Sequence, residues 1–198
     1  MKKEPVKPAS FVTIPSFRWQ HVLLIALIGF AVYANSLNNR FVYDDTFFIS
    51  KNDFIKDLHN LPSLLRPGRY FKGAMERGYW PVVTLSYMLT YPLWGLNVVG
   101  YHLTNIIFHI FNALLLYLII LKAGGRKNLA AASALLFVSH PIHTESVAWI
   151  SARTDVFSCF FFLSSFFLYT RAVESEGRGK AYYYTLSILS FIASLFSK

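Results

Sequence analysis

Charge is scarce in this chain: only 15% of its 198 residues are Asp, Glu, Lys or Arg. A water-soluble domain of this size carries more charge on its surface, so residence in a membrane is the default class. Cysteine is nearly missing. Cys159 stands alone inside an apolar run, which excludes an intrachain disulfide and leaves the redox compartment unread. There is no P-loop, no GxGxxG turn, no nucleophile elbow and no HExxH pair, so the commonest signatures of nucleotide binding, α/β-hydrolase chemistry and zinc proteolysis are absent. Internal repeats and low-complexity linkers are missing too, and the chain reads as one domain.

Apolar surface is what the chain has in abundance. Hydrophobic residues make up 55% of it and aromatic ones 18%, with a mean hydropathy of +0.41. The formal charge of +9 raises nucleic acid as a partner. The basic residues, however, cluster between apolar runs and form no continuous basic face, so the expected partner is the lipid bilayer and no nucleic acid. Four stretches read as spanning helices: 19–37, 102–121, 156–172 and 181–196. A fifth, 129–139, is short and crosses only if its helix continues past Pro141 toward Ile150, kinked at the proline. The expected fold is all-α: about five transmembrane helices over 19–198, after a tail 1–18 that carries prolines and lysines.

The connectors set the orientation. Lys2, Lys3, Lys7 and Arg18 precede the first span, Lys122, Arg126 and Lys127 follow the second, and Arg171, Arg178 and Lys180 lie between the fourth and fifth. The stretch 140–155 has one basic residue, Arg153. That alternation puts the amino end in the cytoplasm, and Trp19, Tyr101, Trp149, Tyr169 and Tyr182 near segment ends suit an interfacial belt. The run 81–96 tempts a sixth span, but prolines flank it, and Thr84, Ser86, Tyr87, Thr90 and Tyr91 interrupt it. Counting it would place the tail and the 122–127 connector on opposite sides, so it reads as an amphipathic helix lying on the membrane surface. The run 52–65, with Ile55, Leu58, Leu61 and Leu65 at helical spacing, reads as another. The long loop 38–101 and the short loop 140–155 then share the outer face.

That geography brings chemistry-bearing residues together. Asp44 and Asp45 are adjacent carboxylates beside a membrane, which repel each other and lose hydration. They meet Glu145, Arg153 and Asp155 of the short loop. The bland alternatives are a solvated pair capping a turn near Thr46, a helix-capping Glu145 and a surface ion pair of Arg153 with Asp155. The series His102, Asn105, His109 and Asn112 forms one helical stripe, which reads either as hydrogen-bonding glue between helices or as a site. His140, His143, Glu145 and the Asp pair have metal-binding atoms, but their spacing matches no metal motif, and no metal is expected.

Several of these stretches resemble a known family. Phe41-Val42-Tyr43-Asp44-Asp45, the series His102-x-x-Asn105-x-x-x-His109-x-x-Asn112, and the stretch from His140-Pro141-Ile142-His143-Thr144-Glu145 through Trp149 to Arg153-Thr154-Asp155 are similar to C-type (GT-C) membrane glycosyltransferases. Within that class they resemble the transmembrane O-mannosyltransferases with C-terminal tetratricopeptide repeats and their bacterial relatives. The similarity runs from about Asn35 to Lys198. Two departures stand out. This chain has Tyr79-Trp80-Pro81 where the family usually has Tyr-Arg-Pro, and it ends at Leu195-Phe196-Ser197-Lys198, inside a motif that relatives extend with an acidic residue and further spans. The resemblance therefore implies the amino-terminal piece of a longer enzyme.

It also implies a polyprenyl-phosphate sugar as donor, a protein or glycan hydroxyl as acceptor, inversion at the sugar, and no cofactor. The membrane would be a bacterial inner membrane or, in a eukaryote, the endoplasmic reticulum. The roles implied are Asp44 as base, Asp45 or Glu145 as its orienting partner, and Arg153 and His102 on the donor phosphate. Asn105, His109, His143 and Asp155 would support them. The competing expectations are a lipid-linked-saccharide transporter or anchor, and an inactive remnant.

Overall fold

The computed structural model describes residues 18–73, 78–124 and 126–198, so the expected tail lies outside the described residues except for Arg18. Helix α1 (Trp19–Tyr33) continues as a 3-10 turn (Ala34–Asn38), giving a largely apolar rod of 20 residues. Leu23, Leu24, Leu27 and Phe30 project outward from it, the pattern of a lipid-facing helix. After a π-helical turn at Thr46–Ser50, short 3-10 helices (Asp53–Lys56, Leu58–Leu65), α2 (Pro67–Gly73) and α3 (Pro81–Trp94) build a cap. Helix α4 (Val98–Lys122) follows, begun by Asn97, whose side chain accepts from Val99 N at 3.1 Å. Its 25 residues rise about 37 Å, more than the ~30 Å hydrocarbon core. Then come α5 (Lys127–Ser139), α6 (Thr144–Ala148), α7 (Arg153–Glu174) and α8 (Gly177–Leu195). Among the described residues there is no strand, and the protein is an all-α membrane fold.

Three helical stretches are long and apolar enough to cross a membrane: Trp19–Asn38, Val98–Lys122 and Ile150–Glu174. Of the five spans expected, α5 is short at 13 residues, and α8 is diluted by serines that it uses against α7. Ser187 Oγ donates to Ser165 O and Ser194 Oγ to Ser158 O, both at 2.9 Å, which zips α7 and α8 into a close antiparallel pair. Helices α1, α4 and α5 enclose Ile25, Tyr117, Leu121, Ala134 and Val138. Gly29 makes that approach feasible, because a Cβ there would sit 2.7 Å from both Ile110 of α4 and Val138 of α5. An ion pair between Lys122 and Glu174 ties α4 to α7 at the end remote from the cap.

One local expectation is overturned. The fifth helix does not continue through Pro141. The residue before a proline is pushed out of the α region, and His140 is extended (φ −69°, ψ 128°), so α5 stops at Ser139. The chain returns through a 3-10 turn (Pro141–His143), α6 and a second turn (Ile150–Ala152), and this segment lies across α4. There the Asn105 amide donates to the carbonyls of Trp149 at 3.1 Å and of Val147 and Ile150 at 3.4 Å.

Helix α3 has two unlike faces. Its polar stripe faces inward: Thr84, Tyr87 and Thr90 are buried with Val83 and Met88, whereas Leu89, Leu93 and Trp94 are exposed. The helix is amphipathic as expected, its polar face turned to the protein and its exposed face apolar. Ile49, Ile55, Tyr70, Tyr87 and Met88 are fully buried in the cap, and each large apolar side chain contributes roughly 1.5–3 kcal/mol there.

Candidate active site

Tyr43 adopts a left-handed conformation (φ +46°), rare and costly for an aromatic residue, and so points the next two residues in different directions. Asp45 turns inward and is fully buried. Its Oδ2 accepts from Val42 N at 3.0 Å, and its Oδ1 accepts from Ser151 N at 2.8 Å and Ser151 Oγ at 2.5 Å. Both carboxylate oxygens are hydrogen-bonded, so Asp45 is a clasp between the two loops. This contact also shows that loops 38–101 and 140–155 occupy the same end of the bundle. Asp44, by contrast, is exposed and turns to the open side.

Asp44 opens onto a cleft of about 470 Å³. Glu145 of α6 and Asp155 of α7 line the same cleft, and Phe48, Trp80 and Trp149 supply aromatic walls. The ring of Tyr43 meets that of Trp149 edge-on, with centroids 6.4 Å apart. No Lys, Arg or His is among its described lining residues. Three carboxylates with aromatic faces suit a neutral, hydroxyl-rich ligand: the carboxylates accept hydrogen bonds or a proton, and the rings cover the apolar side. Trp80, the residue that departs from the family pattern, is one of those walls.

Arg153 is elsewhere. It is fully buried at the start of α7 and not in the cleft. Nε donates to Asn105 Oδ1 at 2.8 Å, one Nη to Tyr101 O at 2.9 Å and the other to Ser86 Oγ at 3.0 Å. The guanidinium also lies 4.5 Å over the Tyr87 ring. The expectation of a phosphate contact from Arg153 is therefore replaced by a structural one: its donors are committed to α3 and α4. His102 is likewise buried, with Nε2 3.1 Å from Asn39 O, and it does not line the cleft. The stripe that His102 begins is buried throughout, with Asn105 and Asn112 bridging to carbonyls as helix glue.

A second cavity of about 480 Å³ lies beside the first, and Asp155 lines both. His109, Asn112, His143 and Ser146 contribute to it, with Phe137 and Phe162 as apolar walls. Burial, then the neighbouring His140 charge, push the His143 pKa below its ordinary value, so its ring is neutral at neutral pH. The His109 and His143 rings are 5.2 Å apart. Among the described residues, no group of three or more His, Cys, Asp or Glu gathers closely enough to hold a metal ion.

Sequence reasoning brought Asp44, Glu145 and Asp155 to one place but missed Ser151, Ser86 and Tyr101. Ser151 was within reach, since it sits inside the quoted second-loop stretch. Ser86 was visible only as one of several polar interruptions of α3.

Comparison with known proteins finds protein O-mannosyl-transferases among the relatives of this chain. The chain is 33% identical over 179 residues to human protein O-mannosyl-transferase TMTC1, covering 87% of this chain and 20% of that protein. It is 32% identical over 175 residues to Drosophila melanogaster protein O-mannosyl-transferase Tmtc1, covering 86% and 20%. It is 34% identical over 163 residues to human protein O-mannosyl-transferase TMTC2, covering 78% and 19%. This chain thus spans about a fifth of the length of the curated relatives it matches. No family model matches, and no solved structure matches. The likeness read from the motifs is shown over most of the chain.

Proposed function

We propose, for a chain related over most of its length to the protein O-mannosyl-transferases, that it is the catalytic end of a glycosyltransferase. It moves one sugar from a polyprenyl-phosphate donor to an acceptor hydroxyl, with protein Ser or Thr the acceptor favoured by the relatives' names. The observation that carries this reading is the carboxylate cleft, where Asp44 from one loop and Glu145 and Asp155 from another face the same space.

In this reading Asp44 accepts the proton of the acceptor hydroxyl as its oxygen forms a bond to C1 of the sugar. The bond between C1 and the phosphate oxygen breaks, its electron pair stays on that oxygen, and polyprenyl phosphate departs. Attack opposite the leaving group inverts C1. Glu145 accepts a hydrogen bond from the acceptor and orients it, and Asp45, through Ser151, holds Asp44 in place. The amino end lies in the cytoplasm and the cleft on the outer or luminal face. Lys122, Arg126, Lys127, Arg171 and Arg178 all sit at or beyond the ends of α4 and α7 remote from the cleft.

The test is Asp44→Asn in membranes carrying the complete gene product. Loss of a positioned base is expected to slow sugar transfer by roughly 10²–10⁴-fold. Transfer near the wild-type rate removes Asp44 from the mechanism.

A further inference from the structure

A transferase of this kind must hold a phosphate, and the carboxylate cleft is a poor place for one. Asp44, Glu145 and Asp155 line it without a cation, so an anion entering there meets like charge. Arg153 cannot relieve this, because its nitrogens are already bonded to Asn105, Ser86 and Tyr101. The neighbouring cavity has the opposite chemistry. Its two charged lining residues, Asp155 and Lys198, are paired with each other, and the rest of its polar lining is neutral: His109, Asn112, His143, Ser146, Ser158 and Ser194.

Three details favour a polar occupant. Among the described residues, neither ring nitrogen of His143 has a polar partner; the ring only packs against Phe137, at 4.6 Å between centroids, and the two neighbouring histidines. Asn112 is 1% exposed, and its Oδ1 has no partner, although the residue lines the cavity. A buried acceptor left unmet is costly and calls for a donor from whatever fills the space, water included. Finally, the one carboxylate present is already engaged: Ser146 Oγ lies 3.3 Å from Asp155 Oδ2, and Lys198 Nζ lies 2.5 Å from Asp155 Oδ1. The Ser146 bond is long, and a hydroxyl rotates freely to a stronger acceptor. Phe137, Val156 and Phe162 add apolar surface of the sort an isoprenoid chain needs. At about 480 Å³ the space falls within the usual ~300–1,000 Å³ of ligand pockets.

We propose that this second cavity is the phosphate compartment of a polyprenyl-phosphate ligand, with Ser146 and His143 donating to the phosphate oxygens and Asp155 forming the wall shared with the acceptor cleft. The assignment rests on the glycosyl-transfer reading and goes beyond it by giving donor and acceptor separate compartments. Charge does the sorting: hydroxyls go to the acidic cleft, and phosphates to the His–Ser cavity.

Binding can be read without any sugar transfer. Citronellyl phosphate, a short isoprenyl monophosphate, is titrated into the detergent-solubilised chain by calorimetry, with citronellol and inorganic phosphate as separate probes. Saturable binding of citronellyl phosphate is expected, with inorganic phosphate competing and citronellol at least about tenfold weaker. Ser146→Ala and His143→Ala should each weaken it about tenfold, the size of one good hydrogen bond to a charged group. Asp44→Asn and Glu145→Gln should leave it within about twofold. Ser146→Ala removes a single hydroxyl and keeps the test valid if the histidine variant melts early. The proposal is overturned if the wild type does not bind, if citronellol binds as tightly as the phosphate, if Ser146→Ala binds like the wild type, or if Asp44→Asn abolishes binding. Failure of the base assignment shows up elsewhere, as undiminished transfer by Asp44→Asn, and leaves this result standing.

Discussion

Truncating Arg153 separates two roles that a lone arginine beside the acidic cleft could have. If it holds the fold together, its loss is felt as stability; if it touches the donor, its loss is felt as affinity. Arg153→Ala removes three hydrogen bonds from a charged donor, to Asn105 Oδ1, Tyr101 O and Ser86 Oγ. At about 1.5 kcal/mol each, the low end for charged groups, these come to about 4.5 kcal/mol. The contact with the Tyr87 ring adds about 1–2 kcal/mol. Against this stands the relief of returning a buried cation to solvent, so the net loss is about 4 kcal/mol, the range found when one partner of a buried charge network is removed. For a chain of this length that is a fall in Tm of about 8–16 °C. Arg153→Lys keeps the charge but not the planar fork, and one ammonium cannot reach α3 and two sites on α4 together, so a loss of about 2 kcal/mol is expected. The assay is thermal unfolding of the detergent-solubilised protein, followed by circular dichroism. A Tm for Arg153→Ala within about 2 °C of wild type, with weaker donor binding, would refute the structural role and return Arg153 to the phosphate.

Two further outcomes follow from packing and from the loop clasp. Gly29→Val places carbon about 2.7 Å from Ile110 and Val138, and the forced separation of α1 from α4 and α5 should cost about 1–3 kcal/mol, read as a lower midpoint in sodium dodecyl sulfate unfolding. Asp45→Asn turns one acceptor oxygen into a donor facing Val42 N or Ser151 N, so the clasp should open at a cost of about 2–3 kcal/mol and expose 40–52 to limited proteolysis; wild-type protease resistance would count against it.

The features legible in the sequence were those set by local hydrophobicity and by charge. The apolar runs gave the three strongest spans, and the basic connectors gave the parity that rejected a span at 81–96. Once that parity was set, loops 38–101 and 140–155 had to meet, and the bonds between Asp45 and Ser151 are the physical form of that meeting. What stayed hidden was the direction in which individual side chains face. Asp44 and Asp45 are indistinguishable by type; the left-handed turn at Tyr43 assigns one to the cleft and the other to the clasp. Arg153 looked like a loop residue because the next apolar span was read from Val156. In the fold it is the first residue of α7, pointed at Ser86 and Tyr101, which lie 67 and 52 positions away in the chain. The polar stripe of α3 showed that the helix is amphipathic but not what its polar side meets: Tyr70 for Thr84, and the buried Arg153 for Ser86 and Tyr87.

The clasp between Asp45 and Ser151 also bears on biogenesis. Its partners are 106 residues apart, so the ribosome must add all of them before Asp45 can lock. At about 5–20 residues per second that is a wait of roughly 5–20 s, during which Asp45 lacks its partner on the second loop. Until then the two loops that frame the cleft are not joined through Asp45, so the cleft is completed only late in synthesis.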